Sequence, residues 1–387
     1  MSWLGAARFR TQRMGNIPLA NESGVPRILR LRNAGYLERL RLQVQALGVY
    51  AAAGPTGVDA FGQYCGPIER IIVQANSIGR LFDVSGIGAK FITWLDNQYR
   101  YGAPPSSQVT PTGVTSSVGF PYLSPPDSFT AAPALVAFNN MWTYDIPIAL
   151  QLINKPWPYG LFQLAINAQE VDLDVRFRQL ASNTVGAPGN SVYTGNTANF
   201  TFTSGGVDVE QTYFDPVPKP EDQPSLAYVH QWTEFQQAVT ADGETEVRLP
   251  PNNFYLRVLL IFVQGAAGAL APNGWTTPAA QGVINRFRIM YGPNLAPIDL
   301  TASQMQQHMT SKYGLGLVPG YYALDLLEDT HTERDMLNAA ATTDLRVVLS
   351  TAGGNYAGGA YVKVITEQLV PIQVGAPGQA MVQGVAA

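Results

Sequence analysis

The sequence presents one order of motifs twice, first in residues 26 to 213 and again in residues 245 to 371. The paired segments are Leu29-Arg30-Leu31 with Val247-Arg248-Leu249, Tyr36-Leu37 with Tyr255-Leu256, Ile68 to Val73 with Ile284 to Ile289, Phe82-Asp83-Val84 with Ile298-Asp299-Leu300, and Asp172 to Val175 with Asp344 to Val347. No single pair is specific for a duplication, but the order that all the pairs share is specific for one. A tandem duplication of this kind predicts two copies of one fold in the chain.

Length and composition agree with two domains. The 387 residues exceed the size at which a single hydrophobic core usually stops growing, and hydrophobic residues at 46% are sufficient for two cores. Charged residues amount to 13%, about half the usual share. A surface so poor in charge predicts large areas buried against other subunits.

Alternation of apolar and polar residues dominates both copies. Val171 to Phe177 alternates strictly, which is typical of an antiparallel strand with one solvated face. The clearest helix is Thr301 to Lys312, for which Thr301 and Gln304 form a predicted capping box. The corresponding stretch of the first copy places apolar residues four apart. These are Ile87, Phe91 and Leu95. We therefore predict two β-rich units, each with one short helix.

Proline marks the boundary between the two units. Residues 214 to 225 contain four prolines, which deny a sheet its backbone donors and hold the segment extended. The predicted organisation is a basic N-terminal arm (1–25), a first unit (26–213), a Pro-rich linker (214–225), a second unit (226–374) and a C-terminal tail (375–387).

Basic charge is concentrated near the N-terminus. Residues 1 to 32 contain six Arg and one Glu, a balance of +5, which leaves −9 for the rest of a chain of net charge −4. Arg8, Arg10 and Arg13 could contact an anionic surface, either lipid headgroups or nucleic acid. Alternatively, the arm is a flexible terminus or packs on a neighbouring subunit. No apolar run follows these arginines, so we expect no signal peptide and a chain made in the cytoplasm.

The sequence contains little that indicates chemistry. The single cysteine, Cys65, excludes an intramolecular disulfide and a multi-cysteine metal site. No two of the three histidines are close enough in sequence to bind a metal from adjacent helical turns. Gly86 to Lys90 lacks the spacing of a phosphate-binding loop, and we interpret it as a tight turn into a helix.

One further cluster has the alternation of a metal site on a strand. His331, Glu333 and Asp335 would point the same way, but three polar residues in five are more typical of a solvated loop. The serine and aspartate residues offer no nucleophile with a nearby base that can be recognised from the sequence. We therefore predict no catalytic residue, no metal and no cofactor, and no enzyme. An enzyme with a dispersed carboxylate site, using residues such as Glu333 and Asp335, is the weaker alternative.

Two tandem β units of this size are typical of jelly rolls, which occur in viral capsid proteins, lectin-like domains and cupins. A cupin would need clustered metal-binding histidines, which the chain lacks. Over about residues 1 to 375 the sequence resembles the double jelly-roll major capsid proteins of tailless icosahedral viruses, in particular the tectivirus-like bacteriophages with an internal membrane. The resemblance depends on the order of the duplicated motifs and on three segments of the second copy: Gly320 to Asp325, Arg334 to Asn338 and Leu345 to Leu349.

The resemblance implies an all-β fold of two tandem eight-stranded jelly rolls. It implies a homotrimer that packs with neighbouring trimers as a near-hexagonal tile, in contact with vertex (penton) and minor capsid proteins, in the capsid shell of the virion. Arg8, Arg10 and Arg13 would then lie at the inner face, towards an internal membrane, and no specific nucleic acid is implied. A trimeric jelly-roll spike that binds carbohydrate or a receptor is the alternative.

Overall fold

The computed structural model of this chain describes the two β-rich units and their helices. The described residues are 8–19, 24–32, 35–50, 57–58, 67–76, 78–101, 136–150, 162–163, 170–182, 191–194, 200–215, 228–263, 283–293, 295–313, 320–327, 336–339, 342, 344–354, 356, 360–371, 373–374 and 380–381. Cys65, the cluster of His331, Glu333 and Asp335, and nearly all of the Pro-rich linker lie outside them. Among the described residues, no helix has the length and apolar character needed to cross a membrane.

The elements of the two copies follow one another along the chain. Those of the first copy are β1 (Phe9–Pro18), β2 (Pro26–Arg30), β3 (Tyr36–Tyr50), β4 (Gly57–Val58), β5 (Ile68–Ala75), β6 (Gly79–Ser85), α1 (Gly86–Tyr101), β7 (Val136–Pro147), β8 (Phe162–Gln163), β9 (Val171–Phe177), β10 (Gln179–Ser182), β11 (Ser191–Thr194) and β12 (Phe200–Phe214). Those of the second copy are β13 (Tyr228–Ala238), β14 (Gly243–Leu249), β15 (Phe254–Val263), β16 (Ile284–Tyr291), β17 (Leu295–Thr301), α2 (Ala302–Tyr313), β18 (Tyr321–Asp325), β19 (Leu337–Asn338), β20 (Leu345–Thr351), β21 (Tyr361–Pro371), β22 (Gln373–Val374) and β23 (Ala380–Met381).

The two copies have the same strand topology. In the first, one sheet has the order β1-β12-β3-β7 and the other runs β2-β9-β5-β6. In the second, the corresponding orders are β13-β21-β15-β18 and β14-β20-β16-β17. Each set of eight strands is a jelly roll with one helix between its fifth and sixth strands. The duplication and the double jelly-roll fold expected from the sequence are confirmed.

The alternating sequence patterns fold as predicted, because each strand has one face on a core and one face on solvent. In β9 the apolar residues from Val171 to Phe177 are buried, while the charged residues between them are partly exposed. The central strand β21 differs, since all its residues from Val362 to Val370 are buried. That strand therefore buries polar side chains, including Glu367, which must find partners inside the protein.

Helix α2 begins where the sequence predicts, whereas Gly86 to Lys90, predicted as a turn into a helix, already form the first residues of α1. At the start of α2, the backbone N–H of Thr301 donates to Gln304 Oε1 at 2.8 Å and that of Gln304 donates to Thr301 Oγ1 at 3.3 Å, which is the predicted capping box. In α1, Ile87, Phe91 and Leu95 are all buried, as is every residue from Gly86 to Thr93, so the first half of this helix is enclosed on all sides.

Candidate functional site: the seam between the rolls and the outer strands

The two rolls are joined through a parallel pair of strands. β6 of the first roll pairs with β13 of the second, with Phe82 opposite Trp232 and Asp83 opposite Thr233. This pair merges one sheet from each roll into a nine-stranded sheet. We call the contact of β6 and α1 with β13, β15 and β21 the seam. Phe82 and Trp232 are fully buried there, and a buried side chain of that size contributes about 2–3 kcal/mol to stability.

A carboxylate of the second roll caps the helix of the first. Glu234 Oε2 on β13 accepts hydrogen bonds from the backbone N–H of Ser85 at 2.9 Å and from its hydroxyl at 2.5 Å, directly before α1 begins. Glu234 Oε1 accepts from Lys363 Nζ at 2.5 Å. A negative charge stabilises a helix N-terminus. The N-terminus of α1, at Gly86 to Lys90, therefore faces the side chain of Glu234.

Gly88 allows α1 to approach the second roll closely. A Cβ atom at this position would lie 2.5 Å from Ile365 Cδ1 on β21 and 2.5 Å from Val84 Cγ1. Real Cβ atoms do not approach other heavy atoms so closely, so a larger residue would push the helix away from the seam.

A buried cluster of charges crosses the seam at the other end of α1. Arg257 on β15 donates from Nη1 to Asp96 Oδ1 of α1 at 2.8 Å and from Nε to Glu367 Oε2 on β21. Its guanidinium carbon also lies 5.0 Å from the centre of the Trp232 ring, within the range of a cation–π interaction. This arginine therefore connects both rolls through three partners.

His230 completes the cluster. Its Nε2 lies 2.8 Å from Glu367 Oε1 and its Nδ1 lies 3.1 Å from the carbonyl oxygen of Ile148, in the first roll. The imidazole therefore lies between an oxygen atom of each roll. Burial opposes ionisation of Glu367, but the charges and hydrogen bonds of Arg257 and His230 lower the pKa of this carboxyl to about 2.

Sequence reasoning did not find this cluster. Asp96, Arg257 and Glu367 are far apart in the chain and belong to no motif. One signal was available: Glu367 interrupts a strand that is otherwise largely apolar, from Tyr361 to Pro371, and a charge within such a strand indicates a buried partner.

The predicted contact residues lie on an outer strand. Arg10 and Arg13 belong to β1, the end strand of its sheet, and Arg8 directly precedes it. Arg10 Nε donates to Asp215 Oδ2 at 2.8 Å, which raises the pKa of this arginine, and Arg13 Nη2 donates to Asp208 Oδ1. Both arginine side chains remain more than half exposed, at 54% and 66%. The structure therefore places the three arginines together on one edge of the first roll.

The second roll presents its own outer strand. β17 pairs with β16 and alternates between exposed and half-buried residues along its whole length. Arg286 Nε donates to Asp299 Oδ1 at 2.6 Å, and this hydrogen bond lowers the pKa of Asp299. Leu295, at the start of the strand, is 60% exposed. Among the described residues, no group of three or more His, Cys, Asp or Glu side chains is arranged to hold a metal ion.

The fold is similar to that of known viral proteins, although the sequence is not. No protein-family model and no curated protein matches the chain. The crystal structure of the major capsid protein of STIV, the Sulfolobus Turreted Icosahedral Virus, covers 94% of this chain and 97% of that chain at a TM-score of 0.64 and 11% identity. The PBCV-1 protein VP54 covers 98% of both chains at a TM-score of 0.58 and 10% identity. These likenesses define the chain's class as a double jelly-roll protein.

Proposed function

We propose that this protein is a major capsid protein, which assembles into pseudo-hexagonal trimers that tile the shell of an icosahedral virion. The observation that carries the proposal is the pair of equivalent jelly rolls joined by a shared sheet. The STIV major capsid protein has this fold over nearly its whole length. The role is structural rather than catalytic.

The duplication supports the trimer on geometric grounds. Three chains with two similar rolls each form a ring of six similar lobes, and head-to-tail contacts generate a ring when the rotation between subunits closes. A near-hexagonal ring packs edge to edge with its copies. The charged share of 13% supports this role, because a tile buries much of its rim against neighbouring tiles.

The N-terminal arginines are proposed to contact the inner surroundings of the shell. Arg8, Arg10 and Arg13 lie on or directly before an outer strand and are exposed, so they can reach the anionic headgroups of an internal membrane or a minor capsid protein. Asp215 and Asp208 neutralise part of their charge, so each contact is weak. The net charge of −9 outside residues 1 to 32, obtained from −4 for the chain and +5 for that segment, argues against genome contact as the main role.

Light scattering of the purified full chain tests the proposal. We expect a stable species of three times 41.8 kDa, about 125 kDa, whose electron micrographs show six-lobed hexagonal particles. A persistent monomer would contradict the proposal. Binding of that monomer to a glycan array would favour the spike alternative instead.

The arginine contact has its own test. Vesicles rich in anionic lipid should sediment the unchanged trimer more strongly than a variant with Arg8, Arg10 and Arg13 replaced by Gln. As a matched control, Arg30, Arg80 and Arg286 are more than half exposed and also pair with carboxylates, so replacing them by Gln removes the same charge elsewhere. Equal losses from both variants would show a general charge effect and refute the assignment.

A further inference from the structure

Each roll contributes one strand to the seam. Each roll also has one outer strand, the counterpart of the other roll's seam strand, that pairs on one side only among the described residues. In the topology of the rolls, β17 corresponds to β6, and β1 corresponds to β13. β6 and β13 pair with each other, whereas β1 pairs only with β12 and β17 only with β16 within the described part of the chain. The outer strands β1 and β17 are therefore the two halves of a second seam that one chain cannot close.

The correspondence of β6 and β17 holds residue by residue. Along their neighbouring strands, Val73 pairs with Phe82 in the first roll and Ile289 pairs with Ile298 in the second. The residue after Phe82 and after Ile298 is an aspartate that pairs with an arginine of the neighbouring strand. Arg70 Nε donates to Asp83 Oδ1 at 2.5 Å, and Arg286 Nε donates to Asp299 Oδ1 at 2.6 Å. Phe82 and Asp83 thus correspond to Ile298 and Asp299.

The correspondence of β1 and β13 follows from a shared irregularity. The ladders of β3 with β12 and of β15 with β21 each skip one residue directly before an arginine. The arginine is Arg39 in the first roll, opposite Thr212, and Arg257 in the second, opposite Glu367. A β-bulge is a fixed feature of a fold, so it sets the alignment of the two sheets.

One further step along each sheet reaches the outer strands. Thr212 pairs with Thr11 on β1, and Glu367 pairs with Trp232 on β13. Thr11 therefore corresponds to Trp232, and the next residue, Gln12, corresponds to Thr233. In the seam Trp232 lies opposite Phe82.

We propose that β1 of one subunit pairs in parallel with β17 of the next, with Thr11 opposite Ile298 and Gln12 opposite Asp299. The partner is a second copy of this chain, so the proposal rests on the proposed function and specifies the contact between the subunits of the trimer. Three such pairs, with the three seams inside the chains, would close a ring of six rolls.

Exposure supports the pairing. Phe9 and Leu295 are 52% and 60% exposed, and they lie at the N-terminal ends of β1 and β17, which come together when the strands pair in parallel. An edge strand with exposed apolar residues is a template for pairing with another chain. Pro297 lacks a backbone donor, but it corresponds to Leu81, which is not among the paired residues of β6.

The helix caps explain how the two kinds of seam differ. The counterpart of Glu234 in the first roll is Arg13, because Glu234 pairs with Ile365 and Arg13 pairs with Glu210 at the equivalent place. A cation cannot cap a helix N-terminus. Accordingly α2 is capped by its own Gln304 instead of by a neighbouring roll. The seam between subunits therefore lacks this charged contact and is the weaker one.

Cysteine cross-linking tests the pairing directly. Two full-length chains with Cys65→Ser are co-expressed, one with Thr11→Cys and one with Ile298→Cys and an added tag. After oxidation we expect a disulfide-linked pair of one tagged and one untagged chain, and none from either chain expressed alone. Ile28→Cys, an exposed apolar residue on the end strand β2, should give no product with Thr11→Cys. A trimer by light scattering without the mixed product would overturn the pairing and leave the proposed function standing.

Hydrogen exchange on the unaltered chain provides a second test that no substitution can disturb. In the trimer, peptides from Phe9–Pro18 and Leu295–Thr301 should be protected to a degree similar to those of β6 and β13, while Pro26–Arg30 and Gly243–Leu249 should exchange faster. Exchange of β1 and β17 at the rate of β2 and β14 would refute the pairing. Absence of any trimer in the unaltered chain would refute both the pairing and the proposed function.

Discussion

Replacing Glu367 by Gln should be among the most damaging single changes in this protein. The carboxylate is 1% exposed and accepts from both His230 and Arg257, which together connect the two rolls. Gln preserves the volume but removes the charge, and it presents an amide N–H₂ group to at least one of two donors. Among the described residues, Arg257 would then keep only Asp96 as an ion-pair partner.

The magnitude follows from the carboxyl's ionisation. Its pKa is lowered from 4.5 to about 2, so the folded protein favours the charged form by about 3 kcal/mol. Breaking a buried ion pair by removing one partner typically costs about 3–5 kcal/mol. We therefore expect the Glu367→Gln variant to lose about 3–5 kcal/mol of unfolding free energy at pH 7. The Glu246 side chain is 44% exposed and pairs with Arg346. The Glu246→Gln variant should therefore lose less than about 1 kcal/mol.

Urea denaturation of both variants at one protein concentration, with the assembly state checked by light scattering, measures these losses. The pH dependence has a definite sign. The pKa of Glu367 is lower in the folded protein than in the unfolded chain. The ionised carboxylate therefore stabilises the folded protein above about pH 4.5, and this contribution disappears as the pH falls to about 2. The difference between the unaltered chain and Glu367→Gln should therefore shrink over that interval. A difference that stays constant, or equal losses at Glu367 and Glu246, would refute the argument.

Three further changes have expected outcomes. Gly88→Val should lower the free energy of unfolding by about 1–3 kcal/mol, because the new Cβ would overlap Val84 and Ile365; thermal denaturation measures this. Gln304→Ala should cost about 1 kcal/mol, because the backbone N–H at the start of α2 loses its acceptor; urea denaturation detects it. Burial raises the pKa of Tyr322 to about 12. This residue therefore stabilises the folded protein below about pH 10, and that contribution is lost as the pH rises to about 12. Ultraviolet titration of native and unfolded protein follows its ionisation.

Matched controls separate these effects from general damage. Gly15→Ala should be nearly neutral, since its Cβ would lie 3.8 Å from the nearest side-chain atom, Leu29 Cδ1. Gln307→Ala changes an exposed residue of the same helix that caps nothing, so its cost should be within about 0.5 kcal/mol. Equal losses at Gly88 and Gly15, or at Gln304 and Gln307, would contradict the structural reasons given. For Tyr322, identical titration curves of native and unfolded protein would contradict the effect of burial on its pKa.

The sequence by itself determined the local elements of this protein and their repetition. The alternation of Val171 to Phe177 and the capping box of Thr301 and Gln304 act within a few residues of each other, so their structure can be deduced from spacing. The duplicated order of motifs likewise predicted two rolls of the same kind, because equal patterns fold to equal topologies.

Only the tertiary structure decided how the rolls join. The segment 1–25, predicted as an arm, contains β1, whose partner β12 lies about 200 residues further along the chain. Asp96, Arg257 and Glu367 form one cluster only after β6 and β13 pair. Such contacts depend on which strand edges meet and which charges are buried together. The reason is physical: side-chain periodicity specifies the face that a strand buries, whereas the partner at its edge is set by backbone groups that every residue shares.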